Sequence, residues 1–207
     1  AVQPGRSAGF CQSTGQIPRP IFCRPLIVAA AGRSAHNVIL RHPDATDSAT
    51  VKQITQQHID ELGQQAQQSP RQRANCNLHP QLDDPIQRLA IAMEPGTYVR
   101  PHRHPHTWEL LYPLRGRFLV LHFDDDGTVI DQAILGDTAA VIENPAGQWH
   151  AVLSLDSGGV IFEVKHGPYT PISDADFAAW SPAPDSAAAI SLNNWYAKAQ
   201  LGDRFTG

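Results

Sequence analysis

Short apolar runs, each bounded by Gly, Pro or Asp, follow one another from residue 73 to residue 165. In the first run, polar Arg73, Asn75, Asn77 and His79 alternate with apolar neighbours, which is the period of two that is typical of a strand. Eight further runs have the length and composition of strands. They are Gln87–Met93, Thr97–His102, Glu109–Leu114, Arg117–Phe123, Val129–Ile134, Ala139–Glu143, Trp149–Leu155 and Val160–Lys165. So many short strands at this spacing predict an all-β sandwich or barrel.

Two helices are predicted outside the strand region. The first spans residues 47–68, with apolar positions at helical spacing and Asp47 or Ser48 as its N-cap. Its apolar positions are Val51, Ile54, Ile59 and Leu62. After Tyr169 the chain is rich in Pro and Ala, and Ser186–Gln200 is predicted to form a terminal helix.

The first 43 residues differ in composition from the rest, because they contain no Asp or Glu. An acid-free leader with arginines is typical of an organellar transit peptide, but prolines at positions 4, 18, 20 and 25 oppose an amphipathic helix. A flexible extension is the alternative. The predicted division is an N-terminal extension over 1–46, one domain with its leading helix over 47–182, and a C-terminal extension over 183–207.

Charge and cysteine content exclude several classes of partner. The net charge is −4 and the basic residues are spread along the chain, so nothing indicates nucleic-acid binding. No apolar run approaches the roughly 20 residues of a membrane-spanning helix. Three cysteines, Cys11, Cys23 and Cys76, are an odd number without C-x-x-C spacing, which predicts neither a disulfide framework nor a cysteine zinc site. A reducing, cytoplasmic compartment is expected.

Two histidine-rich motifs carry the candidate chemistry. Residues 96–116 read GTYVRPHRHPHTWELLYPLRG, a G-x5-H-x-H-x4-E-x6-G pattern. His102 and His104 are two apart on a predicted strand, so both rings project from one face, and Glu109 returns on the next strand. The glycines at the two ends of the pattern, Gly96 and Gly116, are predicted to make tight turns with positive φ.

The second motif, ENPAGQWHAVLS, places Pro145 and Gly147 in a turn before His150. His150 is the candidate fourth ligand. The two motifs resemble the paired motifs of the cupin superfamily, whose double-stranded β-helix, a jelly-roll barrel, collects three His and one Glu around a metal. The second motif departs from the family pattern at Gly136, which lies farther upstream, and at Ser154, which replaces Asn; neither departure removes a ligand.

Over residues 50–182 the chain is more specifically similar to the WbuC-type cupin-fold metalloproteins of bacterial O-antigen gene clusters. The segments that carry this resemblance are RANCNLHPQLDDPIQRLAIAMEPGTYVRPHRHPHTWELLYPLRG, FEVKHGPYTP and FAAWSP. The resemblance implies a homodimer and a small-molecule ligand, with a sugar or sugar-nucleotide intermediate of surface polysaccharide synthesis as the candidate. Residues before about 45 and after about 185 have no counterpart in the family pattern.

The four ligands His102, His104, Glu109 and His150 suit one divalent transition metal, Fe, Mn, Ni, Co or Zn. Four functions stay open: a metal-dependent enzyme such as an isomerase, epimerase or lyase, an Fe(II)-dependent dioxygenase, a non-catalytic ligand-binding or sensing protein, and a scaffold protein with a structural metal. No catalytic residue is assigned from the sequence. Six polar residues are candidates for substrate contact because they share a strand face with the ligands or lie near the expected mouth of the barrel. They are Asn77, His79, Tyr98, Arg100, Lys165 and Tyr169.

Overall fold

Nine strands and two α-helices make up the part of the chain that the structure, a computed structural model, describes: residues 51–206 and the backbone of residues 37–39. The strands are β1 (Asn37–Ile39), β2 (Arg73–Asn77), β3 (Ile86–Met93), β4 (Glu109–Arg115), β5 (Phe118–Phe123), β6 (Val129–Leu135), β7 (Ile142–Asn144), β8 (Trp149–Ser154) and β9 (Gly159–His166). The helices are α1 (Gln56–Gln68) and α2 (Ala187–Tyr196), and Asp174–Asp176 forms one turn of 3₁₀ helix. Apart from β1, the predicted extension 1–46 lies outside the described residues, as do Asp47 and Ser48.

The strands form two sheets. One has the order β1-β2-β3-β9-β4-β7 and the other the order β6-β5-β8. All neighbouring pairs are antiparallel except β1 and β2, which run parallel. The chain passes from β4 in the first sheet to β5 in the second, and again from β7 to β8. This exchange of strands between two facing sheets confirms the predicted all-β jelly-roll barrel of the cupin type.

The inner faces of the two sheets share one apolar core. Its buried members are Ile91, Met93, Val99, Leu111, Phe118, Val120, Leu135, Val152 and Ile161. Because side chains alternate along a strand, the same inner rows continue into polar residues at one end of the barrel. On β9, Glu163 and Lys165 follow Ile161 at a period of two, and Glu109 pairs with Lys165 across to β4. One end of the barrel is therefore apolar and the other is polar.

Helix α1 covers the outer face of the six-stranded sheet. It contributes Ile59, Leu62 and Ala66 to a second cluster with Ala74, Cys76, Ala90, Ala92 and Val160. The helix begins at Gln56, later than predicted, because Thr55 and His58 form a capping box. Thr55 Oγ1 accepts the His58 N–H at 3.3 Å, and His58 Nδ1 accepts the Thr55 N–H at 3.2 Å. These two bonds satisfy the Thr55 and His58 N–H groups, which have no carbonyl partner at the first turn of the helix.

The predicted terminal helix is present as α2, which is capped by Ser186 and lies on the outer face of the three-stranded sheet. Leu192 and Tyr196 are fully buried there. The Tyr196 hydroxyl donates to the Val99 carbonyl at 3.2 Å, and Asn193 Nδ2 donates to the Pro95 carbonyl at 3.0 Å. Residues from the predicted C-terminal extension thus complete the core. Neither α1 nor α2 combines the length and apolar character that a membrane-spanning helix needs.

The predicted strand Thr97–His102 is wrong as a regular strand. Only His102 makes β-bridges, one to His150 and one to Phe177. The Pro101 nitrogen has no hydrogen to donate to a neighbouring strand. The backbone groups beside it form hydrogen bonds with residues 176–178 instead. Ala178 N–H donates to the Pro101 carbonyl at 2.9 Å, and Arg103 N–H donates to the Asp176 carbonyl at 3.0 Å.

The two motif glycines differ in backbone conformation. Gly116 has a φ of +76°, as predicted for a tight turn. Gly96 also lies in a turn but does not have positive φ, and a Cβ there would meet only the end of the exposed, flexible Gln72 side chain. The prediction for Gly96 was therefore right about the turn and wrong about φ.

If α2 holds the ligand-bearing segment, Tyr196→Phe should lower the free energy of unfolding by about 1–3 kcal/mol, since it leaves the buried Val99 carbonyl without its donor. Urea denaturation followed by circular dichroism measures the change. Tyr112→Phe is the matched control, because the Tyr112 side chain is 46% exposed. An equal effect of the two substitutions would contradict this role of Tyr196.

Candidate metal centre

Three backbone hydrogen bonds bring the two histidine motifs together. His102 N–H donates to the His150 carbonyl at 3.0 Å, and His150 N–H donates to the His102 carbonyl at 2.9 Å. Gly147 N–H donates to the His104 carbonyl at 2.9 Å. The turn that allows this last bond places Gly147 at a φ of +80°, where a side chain would be strained. These backbone bonds fix the two motifs to each other independently of the side chains that supply the ligand atoms.

The side chains of His102, His104, Glu109 and His150 converge at the polar end of the barrel. One ligand atom from each lies within 4.8 Å of the others. Glu109 and His150 are the deepest, with 4% and 1% exposure. His104 Nε2 lies 3.2 Å from Glu109 Oε1. The cluster can hold a metal ion, since its donors are those that divalent transition metals bind.

Carbonyl groups orient two of the rings. His102 Nδ1 lies 2.9 Å from the Arg100 carbonyl, and His150 Nδ1 lies 2.9 Å from the Gln148 carbonyl. A carbonyl only accepts, so Nδ1 carries the hydrogen in both rings. In the neutral ring, Nε2 then keeps its lone pair. Outer hydrogen bonds of this kind fix the tautomer of metal-binding histidines.

His150 Nε2 shows how well the cluster fits a cation. This atom is buried and makes no hydrogen bond within the described residues, although Glu109 Oε2 is 3.1 Å away. The two atoms are close but are not aligned as donor and acceptor. A neutral ring would present a lone pair to a carboxylate oxygen, which is unfavourable unless a positive charge lies between them. A divalent ion meets this requirement.

The pKa shifts favour the metal-binding protonation state at Glu109 and His102, and the protonated state at His150. Burial by itself would raise the pKa of Glu109, but His150 and His104 hold it well below its usual range. Burial and the neighbouring His150 hold the pKa of His102 well below its usual value. Burial would also lower the pKa of His150, but Glu109 outweighs burial and raises it. Glu109 is therefore ionised and His102 is neutral at pH 7.

A second set of residues supports Glu109, and of these sequence reasoning singled out only Lys165, as a candidate for substrate contact. Asn144 Nδ2 donates to Glu109 Oε2 at 3.0 Å, and Asn144 Oδ1 accepts from His122 Nε2 at 2.7 Å. Lys165 Nζ lies 3.5 Å from Glu109 Oε1 and 2.7 Å from Glu163 Oε1. The sequence contained one signal for His122, because it is the only polar residue in the apolar run FLVLHF.

The six predicted substrate residues lie in three different settings. Asn77 and His79 are each 2% exposed and follow the inner face of β2, and Lys165 lies at the cluster itself. Tyr169 is at the surface, with 48% exposure.

Tyr98 and Arg100 instead hold the C-terminal segment. The Tyr98 hydroxyl donates to the Pro182 carbonyl at 3.0 Å, and burial raises the pKa of Tyr98 to about 12. Arg100 donates to Ser181 through Nε at 2.9 Å and Nη2 at 3.0 Å. His106, which was not predicted as a ligand, is exposed and lies outside the cluster.

Comparison with known proteins does not assign a function to the chain. The model of a family described as a domain of unknown function, DUF6016, matches residues 54–135. No curated protein matches the chain.

Three solved cupin-fold structures illustrate the similarity. KdgF from Halomonas sp. is 15% identical, with a TM-score of 0.38 over 47% of this chain and 80% of that one. The oxalate decarboxylase of Lactobacillus farciminis, solved as a formate complex, is 21% identical, with a TM-score of 0.35 over 44% of this chain and 26% of that one. The DMSP lyase DddQ from Ruegeria pomeroyi is 21% identical, with a TM-score of 0.35 over 43% of this chain and 42% of that one. The fold assignment rests on the strand order and register described above.

Glu109→Gln and His150→Ala should each lower the affinity for a divalent metal by more than about a hundredfold, because each removes a ligand atom. Titration of metal-free protein with Mn²⁺, Co²⁺ or Zn²⁺ in a calorimeter measures the affinity. His106→Ala is the matched control, since this histidine lies in the same turn and outside the cluster. Unchanged affinity in both ligand variants would exclude this cluster as the metal site.

Asn144→Ala should lower metal affinity by about 10–100-fold, because Glu109 loses the donor that orients its carboxylate. The same titration measures the effect. Asn193→Ala serves as the control, since Asn193 is also buried but bonds Pro95. A loss of affinity in Asn193→Ala as large as that in Asn144→Ala would indicate general loosening of the barrel.

Proposed function

We propose that this chain is a metal-dependent enzyme acting on a small oxygenated molecule. His102, His104, Glu109 and His150 would hold one divalent transition metal, with Fe, Mn, Ni, Co and Zn as candidates. The observation that carries the proposal is the buried His150 Nε2, which faces a carboxylate oxygen and lacks a hydrogen-bond partner among the described residues. A bound ion of this kind supplies Lewis-acid polarisation of a carbonyl or hydroxyl group.

The chain's own residues supply binding and orientation beside the cluster. Burial would lower the pKa of Lys165, but Glu163 and Glu109 raise it above its usual value, so Lys165 stays protonated. Its ammonium group is a fixed hydrogen-bond donor and not a base. Asn144 holds the Glu109 carboxylate in one orientation, which keeps the ligand geometry constant while a substrate enters and leaves.

The resemblance to WbuC-type proteins supports a sugar or sugar-nucleotide intermediate of surface polysaccharide synthesis as the substrate. That assignment, the homodimer and the cytoplasmic location remain predictions. A non-catalytic binding protein would use the same cluster, so turnover separates the two functions.

The test is metal loading followed by a turnover screen. Purified protein is analysed for metals, X-ray absorption counts the ligands, and sugars and sugar nucleotides are incubated with the loaded protein and followed by NMR, with oxygen uptake recorded for the iron form. Six-coordinate metal with consumption of a substrate, both absent in Glu109→Gln, is the expected result. Metal binding without consumption of any compound would favour a binding protein, and four-coordinate zinc would favour a structural site.

Lys165→Gln should leave metal affinity unchanged or slightly higher and lower turnover at least tenfold. The substitution removes a positive charge near Glu109 Oε1 that opposes a bound cation, and it removes a donor to the substrate. Calorimetry and initial rates measure the two effects, with the exposed Lys198→Gln as control. A large loss of metal affinity in Lys165→Gln would contradict this prediction, because it would show that the support of Lys165 for Glu109 outweighs its repulsion of the cation.

A further inference from the structure

His122 is a polar residue in an otherwise apolar strand. It lies on β5, the middle strand of the three-stranded sheet, whose six residues are all buried. Because side chains alternate along a strand, His122 continues the inner row of Phe118 and Val120, which belong to the apolar core. A buried imidazole in such a row is unfavourable unless a partner satisfies its nitrogens. The partner of His122 therefore indicates what the histidine does at this position.

The hydrogen bond of His122 crosses from one sheet to the other. His122 Nε2 lies 2.7 Å from Asn144 Oδ1, and Asn144 is the last residue of β7 in the six-stranded sheet. Asn144 Nδ2 in turn donates to Glu109 Oε2 at 3.0 Å. On its own sheet, His122 is paired with His150 in the register of β5 and β8. The four residues thus form a closed chain, since Glu109 Oε2 is the oxygen that lies 3.1 Å from His150 Nε2.

The ionised Glu109 fixes the direction of both hydrogen bonds. Its oxygens only accept, so the amide nitrogen of Asn144 must face them. The amide oxygen of Asn144 then faces His122 and needs a donor, which places a hydrogen on Nε2 of the ring. The other ring nitrogen, Nδ1, is buried and makes no hydrogen bond within residues 51–206, and Asp131 Oδ2 is 3.8 Å away on a mostly exposed side chain. The bond to Asn144 is therefore the only hydrogen bond of the His122 ring in the described part of the chain.

We propose that His122 is a positioning residue that sets the place of Glu109 relative to His150, the two deepest ligands of the cluster. This proposal rests on the proposed function, because it gives His122 a role in the metal site. By donating to Asn144 Oδ1, His122 holds the amide in the orientation that gives Glu109 Oε2 a donor. Because the same bond joins the two sheets, it connects the Glu109 carboxylate to the strand pair that carries His150.

A buried His–Asn pair that serves stability alone would behave differently. Its loss would lower the free energy of unfolding and leave the metal affinity and the ligand arrangement unchanged. A positioning residue acts on the metal, and here it acts through Asn144. Removing the donor at position 122 should therefore weaken metal binding while Asn144 is present, and should have no further effect on metal binding once the Asn144 amide is absent.

The test compares two amide side chains at position 122. The side-chain nitrogen of Gln reaches the place of His Nε2, whereas that of Asn reaches only the place of Nδ1. His122→Gln therefore keeps a donor to Asn144, and His122→Asn loses it. Both substitutions are made alone and together with Asn144→Ala. Asn193→Ala is the control, because it removes a buried amide that bonds the Pro95 carbonyl instead.

Three measurements are made on each protein. Calorimetric titration of metal-free protein with Co²⁺ gives the metal affinity, and the visible absorption spectrum of the bound Co²⁺ reports the arrangement of its ligands. Urea denaturation of the metal-free protein gives its stability. His122→Asn should lower Co²⁺ affinity about tenfold or more and shift the spectrum, as is typical when a partner that orients a ligand is lost. His122→Gln should keep both close to their natural values.

In the presence of Asn144→Ala, His122→Asn should cause no further loss of Co²⁺ affinity. Equal Co²⁺ affinity in the His122→Gln and His122→Asn proteins would overturn the proposal, as would a loss in the double variant equal to the product of the two single losses. A comparable loss in Asn193→Ala would indicate general loosening of the barrel and would also overturn it. Failure of the unaltered protein to bind Co²⁺ or any other divalent metal would instead refute the proposed function.

Discussion

The reciprocal hydrogen bonds between the backbones of His102 and His150 are the contact on which the site depends. They join two motifs that are far apart in the sequence and belong to different parts of the barrel. His102 lies in a segment that forms no regular strand, so this β-bridge and the one to Phe177 set its position. His150, in contrast, is held in β8 by the ladder to β5. The regular sheet thus holds His150 directly. Through the bridge to His150 it also holds the irregular segment that carries His102.

Burial of Glu109 is the second constraint, and the surrounding residues are arranged around its charge. An ionised carboxylate that is only 4% exposed is strongly disfavoured unless hydrogen-bond donors or positive charges lie next to it. Here Asn144 donates to one oxygen at 3.0 Å, and the Lys165 ammonium lies 3.5 Å from the other. The donors that stabilise the ionised form also fix its direction. An electron-pair donor of fixed orientation is what a metal ion requires, so the same interactions serve stability and binding.

Much of this could be predicted from local patterns. Alternation at a period of two identified the strands, and motif spacing identified the four candidate ligands, because both signals lie within a few consecutive residues. The sequence could not place Tyr98 and Arg100, since their partners are Pro182 and Ser181, which only the folded chain brings near. Asn144 was missed for the same reason: its pairing with Glu109 across β4 and β7 depends on which strands are neighbours.

The C-terminal residues connect the fold to the chemistry. Phe177 bridges His102 and lies 4.8 Å below the Arg100 guanidinium, while Asp176 pairs with Arg103 at 3.2 Å. The residues on either side of His102 are therefore held by the segment 176–182 and not by the sheet. Substitutions in that segment can shift His102 without altering any of the four ligands.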